Sequence, residues 1–165
     1  MRKIVITANT SWYLFNFRKN TITALIQEGY CVIAVSPKDG YSKKLETLGV
    51  EHFHIDIDQG GTNPINDLKT FFSFVTLYRK LKPDVVLNFT PKNNIYSTLA
   101  SRLFGAKAIN NIAGLGMVFI NENLTAKLAR FLYKISQPQA HTIFFQNDED
   151  KTLFETHGVR SFILH

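Results

Sequence analysis

A single cysteine, Cys31, stands in 165 residues. That count excludes a disulfide framework and a cysteine-based zinc site. Cys31 opens the apolar run 31–35 and is expected as a buried structural thiol, in keeping with a reducing compartment. The glycines never fall into a G-x-G-x-x-G fingerprint or a Walker-type phosphate loop, and no G-x-S-x-G elbow occurs. Of the histidines only His52 and His54 are close in sequence, without a third ligand at metal-binding spacing, so no metal site is expected. No apolar run approaches the ~20 residues of a membrane span. The apolar stretch 3–8 behind Met1-Arg2-Lys3 is shorter than the ~7–15 residue core of a secretory signal. The chain is therefore expected in the cytoplasm, with any membrane contact peripheral.

What is present is apolar and basic. At 45% hydrophobic residues with 14 Phe, the chain can bury one sizeable core. A formal charge of +6 points to an acidic partner, whether nucleic acid, an anionic membrane surface or a phosphate-bearing small ligand. The cations are dispersed rather than blocked, which argues against a nucleic-acid tail.

Apolar strand-like runs alternate with helical patterns along the whole length. Strands are expected at 3–8, 31–35, 51–57, 84–88, 107–112, 142–145 and 161–164, and helices at 17–28, 41–48, 65–81, 93–104, 124–137 and 148–157. This β-α alternation predicts an α/β, Rossmann-like three-layer α/β/α domain with a parallel sheet of about six to seven strands, spanning 1–165 without a linker. Right-handed crossovers then place every strand-to-helix loop along one sheet edge, where open α/β folds bind ligands.

Four polar clusters fall on that edge. The first, 9–18, offers Thr10, Ser11, Asn16 and Arg18 beside Trp12 and Tyr13, and either caps a helix or meets a ligand. The second offers Thr90, Lys92 and Asn93, a hydroxyl, a cation and an amide where a helix begins, a setting that attracts anions. The third, Gly114-Leu115-Gly116, permits close backbone approach, so its N–H groups could face a phosphate. The fourth holds Asn147 and Asp150, which suit a helix cap. Two helices also carry basic and apolar residues together. In 124–137, Lys127, Arg130 and Lys134 oppose Leu124, Leu128, Phe131 and Ile135; core packing of that apolar face is the leading expectation, with membrane contact the alternative.

The stretches SWYLFNFRKNTITALIQEGYCVIAVSP, TPKNNIYSTLASRLFG, NNIAGLGMVF and FFQNDEDKTLFETHG occur in this order. Together they resemble the family 4 glycosyltransferases, and within them the subgroup that builds capsule, O-antigen and other lipid-linked bacterial glycans. The resemblance implies the N-terminal, acceptor-side half of a GT-B fold. The other half, which binds the nucleotide-sugar and carries an E-x(7)-E motif, is not matched. It implies a retaining transfer from a nucleotide-sugar, expected to be UDP-linked, to a lipid-linked or polysaccharide acceptor. Expected partners are a C-terminal donor domain and an anionic membrane surface, not nucleic acid, and no cofactor beyond the donor substrate. Cleft-lining roles are implied for Thr10, Ser11, Asn16, Arg18, Thr90, Lys92, Asn93, Gly114, Leu115, Gly116, Asn147 and Asp150. The histidine that many relatives place near the third cluster is not matched here, so no catalytic side chain is assigned. On this reading the 165 residues alone are inactive. A binding subunit paired with a separate donor domain, or an anion-binding module without catalysis, would produce the same clusters.

Overall fold

The computed structural model describes residues 1–159, apart from the side chains at 116 and 117. Six strands form one parallel sheet: β1 Lys3–Thr7, β2 Cys31–Ser36, β3 Glu51–His54, β4 Val85–Asn88, β5 Lys107–Ile112 and β6 Thr142–Phe145, in the order β3-β2-β1-β4-β5-β6. The expected strand 161–164 lies outside the described residues. The helices are α1 Ser11–Gln27, α2 Ser42–Glu46, α3 Pro64–Leu81, α4 Thr98–Arg102, α5 Gly116–Ile120, α6 Leu124–Ser136 and α7 Asp148–Thr156. A π-helical turn, Asn93–Ser97, precedes α4, and a 3-10 turn, Gln137–Gln139, follows α6.

Two cores form because the sheet is apolar on both faces. Ile6, Ala8, Val32 and Ala34 pack under Leu14 and Ile22 of α1 and Leu45 of α2. On the other face Val5, Ile33, Val35 and Val86 pack under Phe74 and Tyr78 of α3, and the same core extends to Tyr133 of α6 and Phe154 of α7. The strands read as continuous apolar runs for that reason.

Three local expectations are corrected. α1 begins six positions before the expected 17 because Thr10 caps it, its Oγ1 accepting the Tyr13 N–H at 3.0 Å. Most of the first polar cluster is therefore helix, and only Asn9 and Thr10 remain loop. Residues 116–120, for which no element was expected, form α5. Cys31 is partly exposed, because it sits at the first position of its strand. Gly29, Gly105 and Gly158 adopt positive φ just past helical segments, the stop signals expected of them.

A polar binding edge at the carboxyl ends of the strands

The chain leaves β1 for β2 on one face and β4 for β5 on the other, so a crevice opens between the carboxyl ends of these neighbouring strands. Its floor is pinned by a short buried relay. The Thr90 hydroxyl donates to Asn93 Oδ1 at 2.7 Å, and Asn93 Nδ2 donates to Thr7 Oγ1 at 2.6 Å. Thr90 and Asn93, expected to face a ligand, are thus buried and join the end of β4 to the end of β1.

The first cluster divides. Thr10 caps α1 at the crevice. Arg18 reaches back so that its guanidinium lies 4.2 Å from the Phe89 ring centroid and donates to the Tyr13 hydroxyl at 3.1 Å. This cation–π contact delivers a charge to the residue following β4. Asn16 instead lies exposed on α1, its amide donating to the Trp12 carbonyl at 2.9 Å. Ser11 is fully buried beneath the carboxyl ends of β1 and β2. Its hydroxyl stands 2.8 Å from both Ser36 and Ser42 hydroxyls and 3.2 Å from His52 Nε2, with Ser36 3.0 Å from the same nitrogen. With the Pro37 carbonyl at 3.1 Å as a fourth partner, this enclosed side chain cannot line a cleft.

That knot makes stability pH-dependent. Burial is the main influence on His52 and lowers its pKa below the usual 6.5, outweighing the attraction of Glu46 and Asp39. The unfolded chain then binds the proton more readily than the folded one. The contribution is complete above about pH 6.5 and is lost as the pH falls through and below it. Urea melts from pH 8 to pH 5 are expected to show that loss, and His52→Gln is expected to flatten this part of the profile.

Lys92 is not the free cation expected from the sequence. Its ammonium donates to Asp67 Oδ1 at 2.6 Å and to the Gly61 carbonyl at 2.8 Å, and both charged side chains are largely covered. The loop before α3, which its sequence alone does not single out, thereby reaches the edge. Gln59 donates to the Asn9 carbonyl at 2.9 Å, while the Asp58 carboxylate accepts from Asn66 Nδ2 and the Gly61 N–H. The Asn66 bond foremost holds the Asp58 carboxyl below its usual range.

The third and fourth clusters meet each other. Gly114 has φ +69°, the left-handed region that glycine tolerates. Its N–H and that of Leu115 both point at the buried Asp150 carboxylate, each at 3.1 Å. The backbone donors expected to hold a phosphate are occupied by the chain's own anion. Asn147 caps α7, accepting the Asp150 N–H at 2.7 Å and donating to its carboxylate at 3.2 Å. Gly116 opens α5 directly behind the clamp. Asp150→Ala is expected to cost about 1–3 kcal/mol by orphaning two donors. Hydrogen exchange should accelerate at Gly114 and Leu115 well beyond the global change.

Behind the edge lies a buried amide network. Asn110 donates to Gln137 Oε1 at 2.7 Å, sits 2.9 Å from the Thr98 hydroxyl, and accepts from Asn88 Nδ2 at 2.7 Å; Gln137 Nε2 donates to the Asn94 carbonyl at 3.0 Å. Asparagines at two strand ends and at the intervening helix start were the available sequence signal. Among the described residues no group of three His, Cys, Asp or Glu side chains is placed to share a metal ion. The edge thus carries hydroxyls, amides and the starts of the helices that follow the strands, many of these groups already paired within the chain.

A groove of about 640 Å3, lined by Arg2, Arg79, Lys82 and Lys107, opens at the amino ends of the strands. Parallel sheets place their sites at the opposite end.

Comparison with known proteins agrees with this fold. The N,N'-diacetylbacillosaminyl-diphospho-undecaprenol alpha-1,3-N-acetylgalactosaminyltransferase of Campylobacter jejuni is 29% identical over 154 residues, covering 89% of this chain and 40% of that protein. The chain thus spans about 40% of the length of this curated relative. Sucrose-phosphate synthase of Thermosynechococcus elongatus superposes with a TM-score of 0.69 at 11% identity, covering 99% of this chain and 47% of that one. HepE of Anabaena, solved with UDP and glucose, gives 0.67 at 12% identity, covering 100% and 44%. Both likenesses fall on somewhat under half of the larger chain, as one of the two Rossmann-like domains of a GT-B fold would. The family described as "Glycosyl transferase 4-like" matches residues 3–147, and the chain belongs to it.

Proposed function

We propose that this chain is the acceptor-side domain of a retaining glycosyltransferase. The transfer moves a sugar from a nucleotide-sugar, UDP-linked by preference, to a polyprenyl-diphosphate-linked glycan in bacterial surface-glycan synthesis. The observation that carries the reading is the alignment, over 89% of this chain, with an enzyme named for extending a diphospho-undecaprenol-linked sugar. The edge supports it. Its Gly114–Leu115 donors are taken by Asp150 and its Lys92 by Asp67, so little remains here to hold a donor diphosphate. A separate donor domain would supply that function, with helix N-termini and cations stabilising the leaving group.

The acceptor would meet the protein at the inner membrane surface. In α6 the core-facing residues are Ala126, Tyr133 and Ser136, whereas Leu124, Leu128, Phe131 and Ile135 are exposed. This overturns the expected core packing of that apolar face. An exposed apolar stripe flanked by Lys127 and Lys134 has the form of an interfacial helix. No described helix is long and apolar enough to cross a membrane.

The test incubates polyprenyl-diphosphate disaccharides and a panel of UDP-sugars with this domain joined to its donor domain, with mass spectrometry to detect the added sugar and NMR to read its anomeric configuration. Addition of one sugar with the donor's anomeric configuration supports the reading, and inversion or no addition refutes it. The 165 residues alone should add none.

A further inference from the structure

The groove at the amino ends of the strands has no part in the polar edge, which lies a strand's length away. It forms where three neighbouring strands begin. Arg2 stands before β1, Asp84 before β4, and Lys107 opens β5 level with Val85. The ends of α3 and α4 close its other side and bring Arg79, Lys82 and Phe104. Two arginines and two lysines thus share about 640 Å3 with one carboxylate, an excess of three positive charges.

No local partner accounts for these cations. Among the described residues none of the four side chains makes an ion pair or a hydrogen bond. The carboxylate is engaged elsewhere, Asp84 Oδ2 accepting the Lys3 N–H at 2.7 Å. Helix carboxyl ends carry partial negative charge that cations commonly offset, but here those carbonyls are already served. Lys3 Nζ donates to the Leu81 carbonyl at 3.2 Å and the Lys82 N–H to the Tyr78 carbonyl at 2.8 Å. The N–H groups of Leu103, Phe104 and Gly105 donate to the carbonyls of Ala100, Ser101 and Arg102. Lys82 adds a second sign. Its φ of +50° is the one positive value at a non-glycine among the described residues, at the point where the chain leaves α3. Glycine is the usual residue there, so this side chain is kept against the preference of the backbone.

The space is of the size that small ligands occupy and far exceeds a lone phosphate ion. Arginine forks match phosphate oxygens in pairs, and the exposed ring of Phe104 supplies an apolar surface beside them. We propose that this groove binds an organic phosphate with two or more negative charges, its oxygens held by Arg2, Arg79, Lys82 and Lys107 and its organic part resting on Phe104. A soluble phosphate ester and the phosphomonoester headgroup of a lipid share that chemistry.

The test follows amide shifts of the protein at low salt during titration with inorganic phosphate, inorganic diphosphate and phenyl phosphate. Diphosphate should bind more tightly than phosphate, and phenyl phosphate several-fold more tightly than phosphate. Shifts should centre on Val85, Gly105 and Lys107. Arg79→Gln and Lys82→Gly should each weaken diphosphate about fivefold. Lys43→Gln, which removes an exposed cation from α2, should leave it unchanged. Lys82→Gly separates binding from folding, because glycine suits the left-handed backbone and should hold the urea midpoint or raise it. Sedimentation with phosphatidylcholine vesicles, with and without phosphatidic acid, distinguishes the two sources. Sedimentation that requires phosphatidic acid and falls with Arg79→Gln assigns the lipid headgroup, whereas binding of the free phosphates without it assigns a soluble ester. Equal weakening by Lys43→Gln, unmoved groove amides, or shifts scattered over the basic surface would overturn the proposal.

Discussion

Asn110→Leu is expected to destabilise the protein by about 3–5 kcal/mol, the largest effect of any single change at the edge. The side chain is fully buried and serves Asn88, Thr98 and Gln137 at once. Leucine has the same number of side-chain heavy atoms and is somewhat bulkier, so the cost is not a cavity. It is the desolvation of several amide and hydroxyl groups left without partners, in a low-dielectric interior where each matters most. The network joins β4, β5, α4 and the turn after α6, so its loss should also loosen the strand ends. Urea melts measure the stability. Hydrogen exchange at Asn94 and Thr98 tests whether the damage is centred there. Asn16→Ala is the control: its amide is exposed and bonds only to its own helix, so the change should stay within about 0.5 kcal/mol.

Lys92→Met is expected to cost about 2–4 kcal/mol, and Asp67→Leu a similar amount, whereas the double variant should recover most of the loss. Each single change strands one largely covered charge, and the uncompensated group carries the penalty. Removing both charges removes the penalty too. A double-mutant cycle in urea would therefore show strong coupling. The same experiment separates two roles for Lys92. If it held a ligand anion, Lys92→Met would weaken ligand binding with little loss of stability. The pair at 2.6 Å, backed by the Gly61 carbonyl, points to a strut that fixes the loop before α3 against the π-helical turn.

Much of the architecture was legible because it depends on local pattern. The β-branched and apolar runs of β1, β2 and β4 are continuous, as strands covered on both faces must be. Glycines 29, 105 and 158 marked where helical segments stop. The edge strand β3 could be read from its alternation of histidine with Phe53 and Ile55. That the strand-to-helix loops share one edge followed from the β-α alternation and crossover handedness, whereas the switch point between β1 and β4 came only with the strand order.

The roles of the edge residues were less legible, because they depend on partners distant in sequence. Asp150 reads as a helix-capping acid, and nothing local says that it reaches Gly114 and Leu115 some 35 positions away. Lys92 reads as a free cation until Asp67 is brought beside it. Ser11 belongs to a loop by composition, yet the Thr10 cap starts α1 early and turns the hydroxyl toward His52. The helical period of α6 divides it into two faces but cannot say which faces the core. Tyr133 and two small residues, Ala126 and Ser136, pack there, and the leucines face outward.

The central claim is that this edge receives the acceptor and not the nucleotide-sugar. Amide chemical-shift mapping of the protein tests it most directly, with a short-chain prenyl-diphosphate disaccharide and a UDP-sugar titrated separately. The account expects the disaccharide to shift the amides of Thr10, Phe89 and Asn111 at the carboxyl edge, and the UDP-sugar alone to leave them unmoved. Shifts of those amides by the UDP-sugar, with none from the disaccharide, would contradict it.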